Sequence, residues 1–319
     1  MLTQSVFNLL YKNPAEIISG SQIAAELNIS REMVRKIVEK LKADEVKIDS
    51  VSNRGYRYVG GHILSHDLIK SDLKTKIFGQ TLEIFDTLDS TNSYLKNLPI
   101  VPEGQTAIAA ELTAARGRFN REYFTPKNHG LYLSLRFAPK IFPEDLQFIT
   151  VVAAVAAVRA ISSISGKNVD IKWVNDIYYD GRKLCGILTE VIASAENFET
   201  LNVVVGFGIN TKSVTGDLSK IATGIYDICG KIVSRNDLAA ELLNTFEDLY
   251  FKFISGGKGE ILAEYKSHQM LFGRQVTVHR GGENFNAKVV DMNENAALIV
   301  KDKRGTTHTL TAGEVSLKL

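Results

Sequence analysis

Three arginines stand close together in one segment, and their chemistry and spacing suit the binding of an anion. The segment TAARGRFNREYFTPKNHGLYLS, residues 113–134, contains Arg116, Arg118 and Arg121, with Gly117 between the first two. Arginine stays charged and offers a planar fork of donors that matches phosphate and carboxylate oxygens. A glycine between two arginines lets backbone N–H groups come close to such an anion. The residues alone allow two interpretations, a ligand-binding loop or a solvated basic loop, because short arginine motifs often arise by chance.

A second group of charged residues lies in the segment IKWVNDIYYDGRKLCGILTE, residues 171–190. Asp180-Gly181 is a favoured hairpin turn, so the flanking residues are expected to pair as strands. This pairing would bring Lys172 and Asp176 near Lys183. For a single lysine such as Lys183, an exposed strand position is the simpler interpretation. The functional interpretation is a cation that stabilises negative charge during a reaction.

Together these segments resemble the biotin protein ligase family, in which an RGR loop is followed by a KWPND-to-RKLAGIL hairpin. The resemblance runs from about Phe85 to the C-terminus and includes five motifs in the family's order: 89–92 (DSTN), 116–118 (RGR), 171–190, 206–210 (GFGIN) and 310–315 (LTAGEV). It implies an α+β fold with a central mixed-sheet catalytic domain like that of biotin and lipoate ligases. It also implies two half-reactions. Biotin and ATP, with Mg²⁺ bound to the nucleotide, give biotinyl-5′-adenylate, and the biotinyl group then passes to a lysine of a biotin carboxyl carrier protein.

The resemblance assigns roles to the residues at matching positions. Catalytic roles fall to Arg118, Lys183 and Asp176. Biotin would contact Ser90, Thr91, Asn92, Leu112, Arg116, Gly117, Arg118, Lys183 and Gly186. The nucleotide would contact Arg116, Arg118, Lys172, Asn175, Gly206, Gly208 and Asn210. Capping of a helix by the residues at 89–92 is the simpler alternative for that motif, although both roles can coexist.

The segment 211–223 has no clear periodicity and is expected to be a mobile loop that closes over the adenylate. No metal-ligating spacing is seen among the six histidines, so no dedicated metal site is expected and Mg²⁺ would arrive with the nucleotide.

Five positions depart from the family's pattern. Leu112 replaces a glutamine, Ala115 and Asn120 replace glycines, Tyr123 replaces a tryptophan and Val174 replaces a proline. Leu112 cannot form a hydrogen bond to biotin, and alanine at 115 would be strained if the backbone there had a positive φ. The change at Val174 is expected to be mild.

Residues 1–60 have the pattern of a winged helix-turn-helix. Ser21 can cap a second helix, and Ser30 can cap a third helix that has one buried apolar stripe. Two alternating segments around 52–55 predict a β-wing. DNA would be read by Ser30, Arg31, Glu32, Arg35 and Lys36 of the third helix and by Arg54 and Arg57 of the wing.

A small helical module that docks on another protein is the alternative for residues 1–60. The order of elements and the GYRY wing resemble the N-terminal domain of biotin operon repressors. That resemblance implies binding to operator DNA, and a homodimer when biotinyl-adenylate is bound.

Composition sets the remaining expectations. The chain has 319 residues, 45% of them hydrophobic and 23% charged, with a formal net charge of +2. These values are ordinary for a globular protein of two or three domains. Cys185 and Cys229 predict no disulfide scaffold, so a reducing cytoplasm is the expected location. The apolar stretch 148–160 looks too short to span a membrane, and no signal peptide and no membrane partner are expected.

The sequence predicts three domains: a winged helix-turn-helix at 1–62, a catalytic domain that binds biotin and ATP at 63–272, and a small β-barrel at 273–319. The main hypothesis is a bifunctional biotin ligase and repressor. Leu112 and Ala115 motivate a second hypothesis, a sensor of biotin or its adenylate with weak or no ligase activity. A third is a ligase for a related acid such as lipoate.

Overall fold

The computed structural model describes residues 2–14, 16–44, 46–61, 63–121, 123–192, 202–280, 283–311 and 314–317. Three helices and a hairpin form the N-terminal module: α1 (Leu2–Lys12), α2 (Gly20–Glu26), α3 (Arg31–Ala43), β1 (Lys47–Val51) and β2 (Gly55–Gly60). Ser30 caps α3 as predicted, because its side chain accepts a hydrogen bond from the Met33 N–H. The prediction for α2 was wrong by two residues. Ser19 is its cap and forms a reciprocal capping box with Gln22.

A seven-stranded mixed sheet forms the centre of the molecule. Its strands are β3 (Leu82–Phe85), β4 (Gln105–Ala109), β5 (Gly130–Phe137), β6 (Asp170–Lys172), β7 (Asp176–Tyr179), β8 (Arg182–Ile192) and β9 (Asn202–Asn210). Their order across the sheet is β3-β4-β5-β9-β8-β7-β6. β3 and β4 run parallel, and the other neighbours are antiparallel. The predicted hairpin at 171–190 therefore lies at the β6–β8 edge of this sheet.

In the part of the chain that the structure describes, six α-helices accompany the sheet: α4 (His66–Asp72), α5 (Thr91–Asn97), α6 (Leu146–Ser165), α7 (Ile225–Cys229), α8 (Arg235–Ile254) and α9 (Lys258–Ser267). The core lies between the sheet and the pair α6 and α8, where Phe78, Phe137 and Phe246 meet edge to face. Helices α7 and α9 were not predicted from the sequence.

Helix α6 requires one correction. The segment Pro143–Ser165 is 23 residues long and apolar enough to cross a membrane by length and composition, so the prediction of a stretch too short to span was wrong. However, 72% of its most apolar window is buried inside the protein. It packs against α8, as a core helix does.

The C-terminal region is a five-stranded antiparallel sheet. Its strands are β10 (Gln275–Arg280), β11 (Glu283–Met292), β12 (Leu298–Asp302), β13 (Thr307–Leu310) and β14 (Glu314–Leu317), in the order β13-β12-β11-β10-β14. The predicted α+β fold class is confirmed. Closure of these strands into a barrel stays a prediction. The turn predicted at 281–282 lies outside the described residues.

Polar contacts join the N-terminal module to the centre. Ser65, fully buried, donates its backbone N–H to the Asn236 side chain of α8 and its hydroxyl to Asn8 of α1. At the C-terminal end of α3, Lys127 contacts Asp44 at 2.7 Å and Lys40 contacts Asp86 at 3.4 Å. Lys127 follows the arginine loop and Asp86 follows β3, so both loops that lead to the predicted site reach α3.

Candidate active site

The predicted chemical residues surround one cleft with a volume of about 220 Å³. It lies where the loops after β3 and β4 meet the β7–β8 hairpin and β9. The cleft is lined by Ser90, Thr91, Asn92, Leu112, Arg116, Gly117, Arg118, Lys172, Asn175, Asp176, Lys183, Gly186, Gly206 and Gly208. Every residue predicted to contact biotin or nucleotide lines this cleft, with the exception of Asn210. The sequence-based roles of these residues stay predictions, but the fold brings them together.

Charged groups from two elements meet at the centre of the cleft. The Lys183 ammonium of β8 lies 2.8 Å from an Asp176 carboxylate oxygen of β7, and both side chains are about three-quarters buried, with 28% and 22% exposed. Arg118 donates a hydrogen bond of 3.2 Å to the Asn175 side chain, whose amide donates in turn to the Ile187 carbonyl at 2.6 Å. These contacts fix the direction of a lysine and an arginine that are both partly shielded from water. Partial shielding strengthens their interaction with an anion.

Helix α5 is held at both of its ends. At its start, Ser90 accepts a hydrogen bond from the Ser93 N–H, so the predicted capping role is real. At its end, the buried Arg136 guanidinium donates to the carbonyls of Leu95 and Leu98 at 2.8 and 2.5 Å. Burial lowers the pKa of Arg136 from its usual value. The first turn of α5 is thereby fixed against the cleft.

Gly206 and Gly208 were predicted to contact the nucleotide and Gly186 to contact biotin, and the first two mainly make room for side chains. A Cβ on Gly206 would lie 2.1 Å from the Asn92 amide oxygen, and a Cβ on Gly208 would lie 2.7 Å from the Tyr123 ring. At Gly186 the nearest atoms would be the Lys183 side chain at 3.2 Å and Tyr123 at 3.4 Å. The glycines therefore shape the cleft by admitting Asn92 and Tyr123.

Tyr123 is a major wall of the cleft. Its hydroxyl donates to the Gly208 carbonyl at 2.8 Å, and the Lys183 ammonium lies 5.6 Å from the centre of its ring. Burial raises the pKa of Tyr123 well above its usual value, so the hydroxyl keeps its proton. The sequence marked Tyr123 only as a departure from the family's tryptophan. The signal that could have indicated this role is an aromatic residue at 123 together with glycines at 186 and 208, against which the ring packs.

Other cleft residues gave weaker signals in the sequence. Thr125, Tyr132 and Trp173 line the cleft, as does Val315 of the C-terminal sheet. The indole N–H of Trp173 donates to the Ala296 carbonyl, which ties the cleft to that sheet. The peptide between Trp173 and Val174 is cis, and the Tyr265 hydroxyl donates to the Val174 carbonyl at 2.9 Å. These contacts depend on residues far apart in the sequence, so no local pattern indicates them.

The two departures at Ala115 and Leu112 have different consequences. The left-handed residue of the arginine loop is Phe119, with φ of 56°, rather than Ala115. The strain considered for alanine at 115 is therefore absent. Leu112 lines the cleft beside Thr125, whose hydroxyl donates to the Leu112 carbonyl at 2.8 Å. A side chain without hydrogen-bonding groups thus stands on the cleft wall.

The segment 211–223, predicted to be a mobile loop, is attached to the sheet on both sides. Thr211 and Lys212 donate their N–H groups to the His129 carbonyl at 2.9 and 3.1 Å. At the other end, the backbone of Lys183 bonds to Ile221 and Thr223, each at 2.9 Å. Asn210 contributes here, because its amide donates to the Thr223 carbonyl at 3.0 Å.

Asp227 fastens the far end of this segment. Its carboxylate accepts hydrogen bonds from the Ser213 hydroxyl at 2.5 Å, the Thr223 hydroxyl at 3.3 Å and the Gly224 N–H at 2.9 Å. Burial by itself would raise the pKa of Asp227, but these hydrogen bonds outweigh it and the pKa is lowered. The segment is therefore anchored by a charged group.

The residues predicted to read DNA lie on an exposed face of the N-terminal module. Arg31, Glu32, Arg35 and Lys36 of α3 are exposed, as are Arg54 and Arg57 of the wing. Lys36 pairs with Glu32 at 3.0 Å and Arg57 with Asp49 at 2.7 Å. The stripe of Val34, Ile37, Val38 and Leu41 is buried as predicted.

Comparison with known proteins agrees with this architecture. Residues 84–210 match a family model described as the biotin/lipoate A/B protein ligase family. Residues 3–57 match an HTH domain, and residues 271–318 match the biotin protein ligase C terminal domain.

Whole-chain relatives and a solved structure extend the match. The bifunctional ligase/repressor BirA of Bacillus spizizenii is 30% identical, over 95% of this chain and 95% of that protein. The corresponding protein of Escherichia coli is 26% identical over 95% and 94%. The biotin protein ligase from Aquifex aeolicus in complex with biotin and ATP superposes with a TM-score of 0.66 at 26% identity, covering 75% of this chain and 99% of that one. This chain therefore belongs to the family of bifunctional ligase/repressors.

Proposed function

We propose that this protein is an ATP-dependent biotin protein ligase that also acts as a biotin-responsive transcriptional repressor. The observation that carries the proposal is the convergence of Arg116, Arg118, Lys172 and Lys183 with Asp176 on one cleft. A cleft with several cations suits a reaction in which two anions, a carboxylate and a triphosphate, must meet.

The two half-reactions need little from the protein beyond position and charge. In the first, a biotin carboxylate oxygen attacks the α-phosphorus of ATP and pyrophosphate leaves, giving the mixed anhydride biotinyl-5′-adenylate. In the second, a neutral lysine amine of the acceptor attacks the acyl carbon, AMP leaves and the amine loses a proton. The proposed role of Arg118 and Lys183, which both line the cleft, is to stabilise negative charge on the phosphate and acyl oxygens. Asp176 lines the same cleft and is the carboxylate proposed to stand near the acceptor amine.

Mg²⁺ fits this arrangement as a companion of the nucleotide. Among the residues that the structure describes, no group of three or more His, Cys, Asp or Glu side chains gathers in a way that would hold a metal. Mg²⁺ prefers phosphate oxygens, water and one or two carboxylates, and Asp176 is a carboxylate on the cleft wall. When bound, the ion would neutralise part of the charge on the triphosphate.

The repressor half of the proposal rests on the N-terminal module. Its exposed α3 face and wing carry the side chains proposed to contact operator DNA. We further propose a homodimer when biotinyl-adenylate is bound, a cytoplasmic location, and a division into domains at 1–62, 63–272 and 273–319. The three family matches at 3–57, 84–210 and 271–318 support this division.

The first test is turnover. Purified protein is incubated with biotin, MgATP and a biotin carboxyl carrier domain, and the carrier is weighed by intact mass spectrometry. We expect one biotinyl group to be added, and Lys183→Ala to reduce the rate by at least a hundredfold because the cleft loses its central cation. The matched control is Lys140→Ala, an exposed lysine outside the cleft, which should leave the rate unchanged.

Two additions to this experiment separate the alternatives: the ligand bound to the protein itself is measured, and the incubation is repeated with lipoate beside biotin. Tight binding of biotin or adenylate without transfer to the carrier would mean a sensor, which Leu112 on the cleft wall motivates. Transfer of lipoate in preference to biotin would mean a lipoate ligase. Either result would overturn the proposed ligase.

A further inference from the structure

A chain of hydrogen bonds runs from the partly exposed Lys96 to the cleft through five side chains, and its inner part is buried. The Lys96 ammonium contacts one Glu190 oxygen at 2.6 Å, and the Asn92 amide nitrogen contacts the other at 2.8 Å. The Asn92 amide oxygen lies 2.6 Å from the Ser134 hydroxyl, which lies 2.7 Å from the Thr91 hydroxyl. Thr91, Asn92 and Ser134 are all at least 94% buried.

The direction of every hydrogen bond in this chain is fixed by chemistry. A carboxylate and a carbonyl only accept, so the Asn92 nitrogen must face Glu190 and the Leu188 carbonyl, which lies 3.2 Å away. The Asn92 oxygen can then only accept, so Ser134 must donate its single proton to it. Because Ser134 has no second proton, the close contact with Thr91 requires the Thr91 hydroxyl to donate to Ser134.

This ordering leaves Thr91 with lone pairs and no proton to offer the cleft that it lines. We propose that Ser134 and Asn92, oriented by Glu190, make Thr91 a pure hydrogen-bond acceptor and so select a substrate head that presents an N–H donor. The inference rests on the proposed function and deepens it, since the cyclic urea of biotin carries two such N–H groups. The dithiolane ring of lipoate carries none. Leu112 adds no acceptor, so the hydroxyl of Thr91 carries more of this discrimination.

Ser134 and Asn92 act through Thr91, and they are therefore positioning residues. Gly206 supports the same hydrogen-bond chain, because only a residue without a Cβ leaves space for the Asn92 oxygen. The predicted direct contact of Asn92 with biotin gains no support from this geometry. Its amide hydrogens face Leu188 and Glu190, and its oxygen accepts from Ser134.

The test compares biotin with two cyclic carbamate analogues, in each of which oxygen replaces one urea nitrogen. Such an analogue places a lone pair where the N–H stood. Affinities for the full-length protein are measured by calorimetry. We expect the wild-type protein to bind one carbamate isomer at least a hundredfold more weakly than biotin. Ser134→Ala frees the Thr91 proton, so the ratio between biotin and that isomer should fall at least tenfold.

A loosened pocket would weaken biotin and both carbamates alike and leave their ratios unchanged, which would overturn the proposal. In steady state, Ser134→Ala should raise the KM for biotin about tenfold and leave the KM for ATP and kcat within twofold. Ser65→Ala is the matched control, because it removes another fully buried serine hydroxyl away from the cleft.

A second pair of variants keeps the test decisive if Ser134→Ala does not fold. Thr91→Ser retains the hydroxyl and should keep the ratio between biotin and the carbamate within threefold of wild type. Thr91→Val removes it and should abolish the discrimination, and an unchanged ratio in Thr91→Val would overturn the proposal. Failure of the wild-type protein to bind biotin at all would instead contradict the proposed function.

Discussion

At the scale of single residues, the cleft combines charged side chains whose directions are fixed by neighbouring groups. Lys183 is directed by Asp176, and Arg118 by Asn175. Groups held in place before the substrate arrives need not reorganise during the reaction, which is the main source of electrostatic stabilisation in enzyme sites. Leu112 departs from the family's pattern at this cleft, because its apolar side chain stands where the family has a glutamine and cannot form a hydrogen bond to a polar ligand.

We predict that Leu112→Gln raises the affinity for biotin about five- to tenfold, since one added hydrogen bond contributes about 1 kcal/mol. Isothermal titration calorimetry with biotin measures the affinities of the variant and the wild-type protein. Leu112→Met is the control, because it changes shape without adding a hydrogen-bonding group. Equal affinities of the glutamine and methionine variants would show that position 112 does not reach the polar head of the ligand.

At the scale of elements, features within one segment could be predicted from the sequence, whereas contacts between distant segments could not. The RGR loop and the 171–190 hairpin are continuous motifs, and the apolar stripe of α3 repeats with the period of a helix, so each was predictable. The contact of Asn92 with Glu190 joins residues 98 positions apart, and that of Lys127 with Asp44 spans 83. No pattern within one segment specifies such partners, and only the packing of the sheet and helices brings them together.

The loop at 211–223 shows the same limit. The absence of periodicity predicted a segment without regular structure, and most of it is irregular apart from a short 3₁₀ turn at Gly216–Lys220. Its anchoring could not be predicted, because Asp227 and Lys183 come from neighbouring elements. A loop fixed at its ends can still close over a ligand through its middle.

We predict that Asp227→Ala loosens this loop. Trypsin should cut at Lys212 and Lys220 several times faster than in the wild-type protein, and biotinyl-adenylate should dissociate faster. Limited proteolysis followed by mass spectrometry measures the first effect. Glu294→Ala, an exposed carboxylate of a turn in the C-terminal sheet, is the control and should leave cleavage unchanged.

The lowered pKa of Asp227 also gives this prediction a pH dependence. A carboxylate whose pKa is lower in the folded state stabilises the fold above its ordinary pKa of about 4, and this stabilisation is lost as pH falls through the folded value. The difference in the free energy of unfolding between wild type and Asp227→Ala should therefore be largest near neutral pH and shrink below about pH 4. A difference that is constant from pH 7 to pH 3 would contradict a role for the charge.

At the scale of the whole molecule, two loops that border the ligand cleft also contact helix α3 of the N-terminal module. Asp86 precedes the 89–92 motif and pairs with Lys40, while Lys127 follows the arginine loop and pairs with Asp44. The hydrogen bond to Asp44 raises the pKa of Lys127. Two sites are coupled when each favours one arrangement of a shared element, and the hypothesis tested below is that α3 and these two loops form such an element.

We predict that Asp44→Lys or Lys127→Glu alone changes the ligand-induced gain in DNA affinity by about three- to fivefold. Partly exposed ion pairs contribute up to about 1 kcal/mol. The double variant, which restores the pair with reversed charges, should recover the gain. The measurement is the ratio of DNA affinities with and without biotin and MgATP, on a site selected from random DNA by the wild-type protein. Independent, additive effects of the two single changes would rule out coupling through this pair.

The packing of Tyr123 over Gly208 restricts how this cleft can be redesigned. A tyrosine ring occupies the position that a side chain at 208 would need, so any larger residue at 208 is tolerated only after residue 123 has become smaller. A smaller residue at 123 alone loses the hydrogen bond to the Gly208 carbonyl and leaves a void. Each single substitution therefore impairs the protein, whereas the two substitutions together need not. Libraries that vary residues 123 and 208 together should therefore reach cleft shapes that stepwise mutagenesis does not reach.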